Sequence, residues 1–363
     1  MDAHPHLTIR ALTVRAVDVP LDRPHLTAGG AATSAPLVLT DLVTEEGVTG
    51  RSYVFCYTRL ALAPVVRLVA DLGDAITGDA VAPLTLDRKM QGRFRLLGPQ
   101  GLTGIAMAAI DMAAWDALAR ATDLPLARLL GGEARPVPAY RSAGMGGIEE
   151  AVAETKASLA AGLRAMKFKV GYPSVSDDIA IVRAAREVGG AHLTVMVDYN
   201  QSLSVPEATA RLYVLDDERL TWVEEPVSAD DYAGHAKVAA QARTPIQTGE
   251  NWWGPHDMAK SIAAGASDYV MLDAMKIGGV TGWLRAAGLA EAHGLMVSSH
   301  LLPEISAQLL AVTPTMHWLE YSDWINPILA EPLVVADGHV QPSTRPGSGL
   351  EWREDAVRRY LVD

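Results

Sequence analysis

The sequence predicts an α/β protein, a (β/α)7-8 TIM-type barrel with an N-terminal α+β capping domain. Three observations carry that expectation. From about residue 135, eight short apolar runs recur, each ending in a polar residue and followed by a helix-like stretch. Their spacing is regular: Asp198 to Glu224 is 26 positions, Glu224 to Glu250 is 26, Glu250 to Asp273 is 23 and Asp273 to His300 is 27. The first third instead places strands first and helices after, which suits a cap rather than a βαβ array. With 363 residues, the chain has room for about two domains of roughly 100–200 residues each.

In chain order, residues 7–20 (LTIRALTVRAVDVP) alternate with β-branched residues and read as a strand. Residues 36–57 read as a hairpin, PLVLTDLVT and VTGRSYVFCYT around a turn at Glu46-Gly47. Helical periodicity follows at about 59–76, 85–96 and 102–121. The barrel runs are VPAYRS (137–142), AMKFKV (165–170), LTVMVD (193–198), LTWVEE (220–225), PIQTGE (245–250), DYVMLD (268–273), LMVSSH (295–300) and MHWLE (316–320). The expected organisation is a cap over 1–134, a barrel over 135–329 and a C-terminal segment, 330–363, that returns to the cap.

Composition excludes several classes of function. The net charge of −12 repels polyanions, so no nucleic-acid partner and no anionic membrane surface is expected. The single cysteine, Cys56, forms no intramolecular disulfide, and no Cys/His cluster offers a zinc site. The longest apolar stretch, Gly104 to Trp115, is interrupted by Asp111 and is short for a bilayer span. The N-terminus lacks the basic start and apolar run of a signal peptide, which makes a cytoplasmic location the expectation.

In a parallel barrel the strand C-termini surround one cavity. Here those ends carry Lys167 and Lys169, then Asp198, Glu224, Glu250, Asp273, His300 and Glu320. Singly, an acid ending a strand is usually a solvated turn residue or a helix cap. Jointly, the charges crowd one mouth. Asp198, Glu224 and Glu250 lie on consecutive strands, and three carboxylates in one site repel unless a hard cation neutralises them. All-oxygen ligation suits Mg²⁺. Glu225, the next residue along a strand, is expected to point the other way, either supporting the ligands from behind or facing the helices.

Lys167 and Lys169, two apart, project to the same face while Phe168 faces the helices. Beside a metal, two adjacent ammonium groups each lower the other's pKa, which can yield a neutral amine able to take a proton. Asp273, one strand from His300, would hold the imidazole and raise its basicity. Glu320 is expected to stay protonated and donate a hydrogen bond to an oxyanion. A metal flanked by two opposed bases suits proton abstraction beside a carboxylate.

The stretches AMKFKVGYP, VDYNQSL, TWVEEP, QTGENWWGP, LDAMKIGGVTGW, SSHLLPEISAQLLA and HWLE are long and ordered. Together with APLVLTDL, SYVFCYT and IDMAAWDALA in the cap, they resemble the enolase superfamily, mandelate racemase subgroup. The resemblance implies Asp198, Glu224 and Glu250 as ligands of one Mg²⁺ per subunit. It implies Lys169 as base for one enantiomer, and His300 with Asp273 as base for the other. Lys167 and Glu320 would meet the substrate carboxylate, and Ser142 and Asn200 would be polar contacts to the substrate or its surroundings. PHLTAGGAATSAP, within a lid of about 21–36, matches a mobile loop that closes over the substrate. The subgroup's branched aliphatic positions there correspond to His25 and Ala32, while Phe55 and Leu301 keep part of the apolar wall.

The activity expected is racemisation of a small 2-hydroxy acid, mandelate or mandelate-like, by two-base 1,1-proton transfer. The alternative is an acid-sugar dehydratase using the same enediolate. A lysine-paired branch of the superfamily is disfavoured, because strand six ends in Asp273 and Lys276 lies three residues on. The partners expected are a small carboxylate and further copies of the chain, an octamer by resemblance.

Overall fold

The computed structural model describes residues 6–27 and 30–362. Three antiparallel strands open the chain: β1 (Ile9–Thr27), β2 (Gly30–Thr44) and β3 (Thr49–Phe55). Four helices follow: α1 (Leu62–Ile76), α2 (Pro83–Arg93), α3 (Leu102–Ala121) and the short α4 (Leu126–Leu129). Strands before helices make this an α+β layer, with α1 and α3 covering one face of the sheet.

The first correction concerns the lid. Sequence patterning ends the first strand at residue 20 and leaves a loop to residue 36. The two arms instead stay paired, with His25 opposite Ala32 and Leu26 opposite Ala31, after a register shift between Pro20 and His25. Residues 28 and 29, within the expected lid, lie outside the described residues. The first arm docks on the barrel, where Met145 N donates to Leu26 O at 2.9 Å. Gly144 permits that approach, since a Cβ there would sit 2.8 Å from the Leu26 nitrogen. The described residues of the lid segment are therefore paired strand arms, with backbone partners where the sequence predicts a loop.

The barrel begins at β4 (Val137–Ala143) and continues through β5 (Ala165–Lys169), β6 (Thr194–Asp198), β7 (Val223–Glu224), β8 (Ile246–Thr248), β9 (Tyr269–Asp273), β10 (Met296–His300) and β11 (Leu319–Tyr321). Neighbours are parallel throughout, and β11 returns to pair with β4. Closure on the other side comes from Val297 N donating to Thr315 O at 2.8 Å and Ser299 N to Trp318 O at 2.9 Å. Each of the eight apolar runs overlaps one of these strands.

Between them lie α5 (Gly147–Ala160), α6 (Val175–Gly189), α7 (Val205–Leu215), α8 (Tyr232–Ala239), α9 (Pro255–Ala264), α10 (Gly279–Ala292) and α11 (Pro303–Ala311). Their starts follow capping rules: Ser204 Oγ accepts from Glu207 N at 3.4 Å, and Asp231 Oδ1 from Gly234 N at 2.8 Å. Among the described residues, eight strands alternate with seven helices, because no comparable helix follows β11. A hairpin of β12 (Val335–Ala336) and β13 (His339–Val340) adds to the start of β4. The last helix, α12 (Glu354–Tyr360), packs against β1 of the cap, with Arg15 Nη1 donating to Glu354 Oε2 at 2.7 Å.

α3 is long and apolar enough, by length and composition, to cross a bilayer, but 83% of its most apolar window is buried inside the protein. Its Ala and Met side chains pack on β3 and α1, and it also meets α10 of the barrel. Asp111, midway along α3, accepts from Thr281 N at 2.9 Å and from Thr281 Oγ1 at 2.5 Å. Thr281 lies in the first turn of α10, where unpaired N–H groups and the helix dipole welcome a carboxylate.

Candidate active site

The strand ends converge as the period demands. Asp198 ends β6 and Glu224 ends β7, while Glu250 follows β8 by two residues. Each offers one carboxylate oxygen within 4.8 Å of the others, and all three side chains are buried. Among the described residues, the Oε2 atom of Glu250 is buried without a hydrogen-bond partner, with only the His300 ring facing it at 3.3 Å. Neighbours hold the other oxygens. Asn200 N donates to Asp198 Oδ1 at 2.7 Å, and the Trp222 indole donates to Glu224 Oε2 at 3.0 Å. Three hard anionic oxygens on a rigid strand edge fit a hard divalent cation. Mg²⁺ is a cation of the kind such a set suits.

Charge in the cluster is unevenly spread. Burial and the adjacent Asp198 push the Glu224 carboxyl well above its ordinary value, with Lys167 opposing. Burial also works against ionising Asp198, but Lys169 and Lys167 outweigh it and hold its pKa below the ordinary carboxylate range. A doubly charged ion would reverse the balance at Glu224, which is what a ligand set requires.

Lys167 and Lys169 share the inner face of β5, while Phe168 packs outward with the helix-facing core. Lys167 Nζ donates to Glu224 Oε1 at 2.6 Å and Glu320 Oε2 at 3.0 Å. Lys169 Nζ donates to Asp198 Oδ2 at 2.5 Å. Burial acts to lower Lys169, and Lys167 does too, as expected, but the neighbouring acids, Asp198 foremost, outweigh both, so its pKa lies above the ordinary value. Lys167 behaves likewise, with Glu224 and Glu320 outweighing burial.

Glu320 is also corrected. Burial favours its neutral form, yet Lys167, His300 and Lys169 pull its pKa down to about 2. It is a carboxylate, accepting from Lys167 and from the Tyr140 hydroxyl at 2.8 Å, and not a protonated donor.

Across the cavity, His300 Nδ1 meets Asp273 Oδ2 at 2.7 Å, and Nε2 lies 3.3 Å from Glu250 Oε2. Asp273 Oδ1 accepts from Met275 N at 2.7 Å and Lys276 N at 3.1 Å. With Oδ1 so fixed, Oδ2 faces Nδ1 and leaves Nε2 directed towards the acids. Burial lowers the imidazole, but Glu250 and the Asp273 hydrogen bond raise it to a net position above its ordinary value.

A cavity of about 660 Å³ opens over this ring. Ser142, Asn200, Phe55, His25 and Leu301 all line it, together with Lys169, His300 and Glu320. Ser142 lies opposite Lys167 in register, and Ala32 faces the cavity beside His25. Burial, with the nearby Lys169, lowers His25 to about 4, so it presents a neutral ring.

Beyond the expected set, the site takes in further groups whose direction the sequence did not fix. Glu225 takes the supporting position and not the helix-facing one: β7 stops at Glu224, and a φ of +34° at Glu225 turns its backbone out of strand geometry. Its Oε2 accepts from Asn251 Nδ2 at 2.7 Å, and Asn251 Oδ1 accepts from Lys276 Nζ at 2.6 Å. Lys276 therefore lines the same cavity, 4.6 Å from the centroid of the Tyr57 ring. Tyr57, on the cap, donates its hydroxyl to Asp273 Oδ2 at 3.2 Å. Lys276 was visible in the MKIGG stretch, but its distance past the strand end hid its direction.

Residues 9–131 match the family model of the mandelate racemase/muconate lactonizing enzyme N-terminal domain, and residues 150–356 that of the enolase C-terminal domain-like family. Among solved structures, the chain is similar to an enolase from Bradyrhizobium complexed with magnesium and mandelic acid. The identity is 48%, with 99% of each chain covered and a TM-score of 0.95. Curated relatives carry other activities. A 3,6-anhydro-α-L-galactonate cycloisomerase from Streptomyces coelicolor is 32% identical, covering 92% of this chain and 93% of that protein. An L-talarate/galactarate dehydratase from Salmonella typhimurium is 31% identical, covering 90% and 83%.

Proposed function

The chain belongs to the mandelate racemase/muconate lactonizing enzyme family of the enolase superfamily, and on that premise we propose that it racemises a mandelate-like 2-hydroxy acid. The coarser chemistry comes with the family: Mg²⁺-dependent removal of the proton beside a carboxylate, through an enediolate. Bound at the acid cluster, Mg²⁺ supplies Lewis acidity towards the substrate carboxylate and makes the α-proton more acidic.

One observation carries the finer reading. Lys169 contacts the Asp198 end of the acid cluster, while His300 approaches its Glu250 end. A carboxylate held at the cluster would therefore have one proton acceptor on each flank. In this reading a cation held at the cluster would offset the Asp198 charge that keeps Lys169 protonated. A neutral Lys169 Nζ then removes the α-proton from one face while a protonated His300 Nε2 returns a proton to the other, which inverts the carbon. Reaction in the opposite sense exchanges the two roles. Asp273 fixes the tautomer that leaves Nε2 free, and Lys167 holds the developing negative charge on the substrate carboxylate with Glu320 orienting the ammonium. Ser142 and Asn200 supply polar contacts to the 2-hydroxyl.

Proton NMR in D₂O with Mg²⁺ tests this, across a panel of aryl 2-hydroxy acids and sugar acids. The reading expects loss of the C2 proton signal with the hydroxyl retained. Appearance of a 2-keto-3-deoxy product would replace it with dehydration, the activity class of the Salmonella typhimurium relative.

A further inference from the structure

Away from the acids and lysines, one stretch of the cavity wall brings together three separate parts of the chain. His25 comes from the β1–β2 hairpin, Phe55 from β3 and Trp324 from the loop after β11. The Trp324 ring centroid lies 5.6 Å from Phe55 and 5.3 Å from His25, in tilted and edge-on arrangements. The hairpin itself offers little apolar area here, since Ala32 is small. Trp324 is therefore the largest apolar side chain at this end of the cavity.

Its position is braced. Asp323, the preceding residue, accepts a two-pronged bond from Arg141 across the barrel closure, Nη1 to Oδ2 at 2.9 Å and Nη2 to Oδ1 at 3.2 Å. The remaining edge of that guanidinium faces Glu154, at 3.5 Å from Nε. Arg141 lines the cavity, yet both of its edges are taken by carboxylates. It serves as a brace for the loop and is not a free receptor for a second carboxylate, as a dicarboxylic sugar acid would need.

We propose that Trp324 is the specificity-determining residue: its indole is the platform for an aryl group on C2 of the substrate, and the Arg141–Asp323 fork positions it. This rests on the 2-hydroxy-acid reading above and assigns the substrate's distal group. The fork places Asp323 and Arg141 as positioning residues, acting only through the ring.

The test pairs a binding measurement with an exchange measurement. Titration calorimetry with Mg²⁺ compares mandelate with lactate, which has a methyl in place of the ring, on the natural protein and on Trp324→Ala, Trp324→Phe and Asp323→Asn. Mandelate should bind the natural protein at least about tenfold more tightly than lactate, because a buried ring adds area and ring–ring contact. Trp324→Ala should cut mandelate affinity about tenfold and leave lactate within about twofold. Trp324→Phe should recover most of the loss, and Asp323→Asn should raise KM for mandelate with kcat retained. Equal losses for both acids, or a Trp324→Ala variant with undiminished mandelate preference, would overturn the proposal. So would a natural protein that binds the two acids equally. Selective, Trp324-dependent binding without α-proton exchange would leave this assignment standing and remove the racemase reading instead.

Discussion

The most informative residues are those whose direction the strand period left open. Alternation turns Glu225 away from the mouth, but alternation holds only while a strand continues, and β7 ends at Glu224. The acids, lysines and His300 were legible because they sit at or beside the ends of strands whose spacing fixes where they point. Glu225 and Lys276 were not, since each depends on a turn geometry that a sequence does not print. Charge states were equally hidden: Glu320 is ionised because Lys167 stands 3.0 Å away, a contact across 153 positions of chain. At this scale the indole of Trp222 is the clearest handle on the cofactor, since it holds Glu224 Oε2 without touching the cavity. Trp222→Phe should weaken Mg²⁺ affinity about 10–100-fold, as loss of a group orienting a ligand does elsewhere. Isothermal titration with Mg²⁺ reads this directly; unchanged affinity would remove Glu224 from the ligand set.

At the scale of elements, α3 joins cap to barrel. Its Ala-rich surface lets β3 approach so closely that a Cβ on Gly50 would lie 2.0 Å from Ala113 O. Gly50→Ala should therefore destabilise the protein by about 1–3 kcal/mol, read as a lowered denaturant midpoint. A midpoint equal to that of the natural protein would show that the contact relaxes at no cost.

Asp111, buried in the same helix, adds a pH dependence. Burial raises its carboxyl from an ordinary 3.8 to about 7, although the Thr281 bonds oppose the shift. The folded state then binds the proton more tightly than the unfolded chain. Stability from this group is complete below about pH 4 and is lost as pH rises to about 7. Asp111→Asn should flatten that part of the Tm-against-pH curve. A slope unchanged by the substitution would assign the effect elsewhere, for instance to Glu304, which burial also lifts to about 7.

Across the whole molecule, the barrel's order was readable because each βα unit repeats the same apolar run and polar stop. The lid was not, because a Gly- and Ala-rich segment carries no strand pattern, although its described arms are paired. Cap and barrel then meet over the acid cluster, with Tyr57 of the cap bonded to Asp273 of the barrel. A cation gripped only by the folded ring stabilises the fold by mass action. Saturating Mg²⁺ should raise Tm, and EDTA should lower it to the value of a protein carrying Asp198→Asn, scanned side by side. A Tm indifferent to both would contradict a preformed site.

The central claim is that two proton acceptors work from opposite flanks of one acid cluster. It is tested most directly by α-proton exchange in D₂O with each enantiomer of the substrate supplied separately. Lys169→Ala should abolish exchange from one enantiomer, by about 10²–10⁴-fold, and leave exchange from the other to His300. His300→Asn should give the mirror pattern. Equal loss from both enantiomers in either variant would contradict the account.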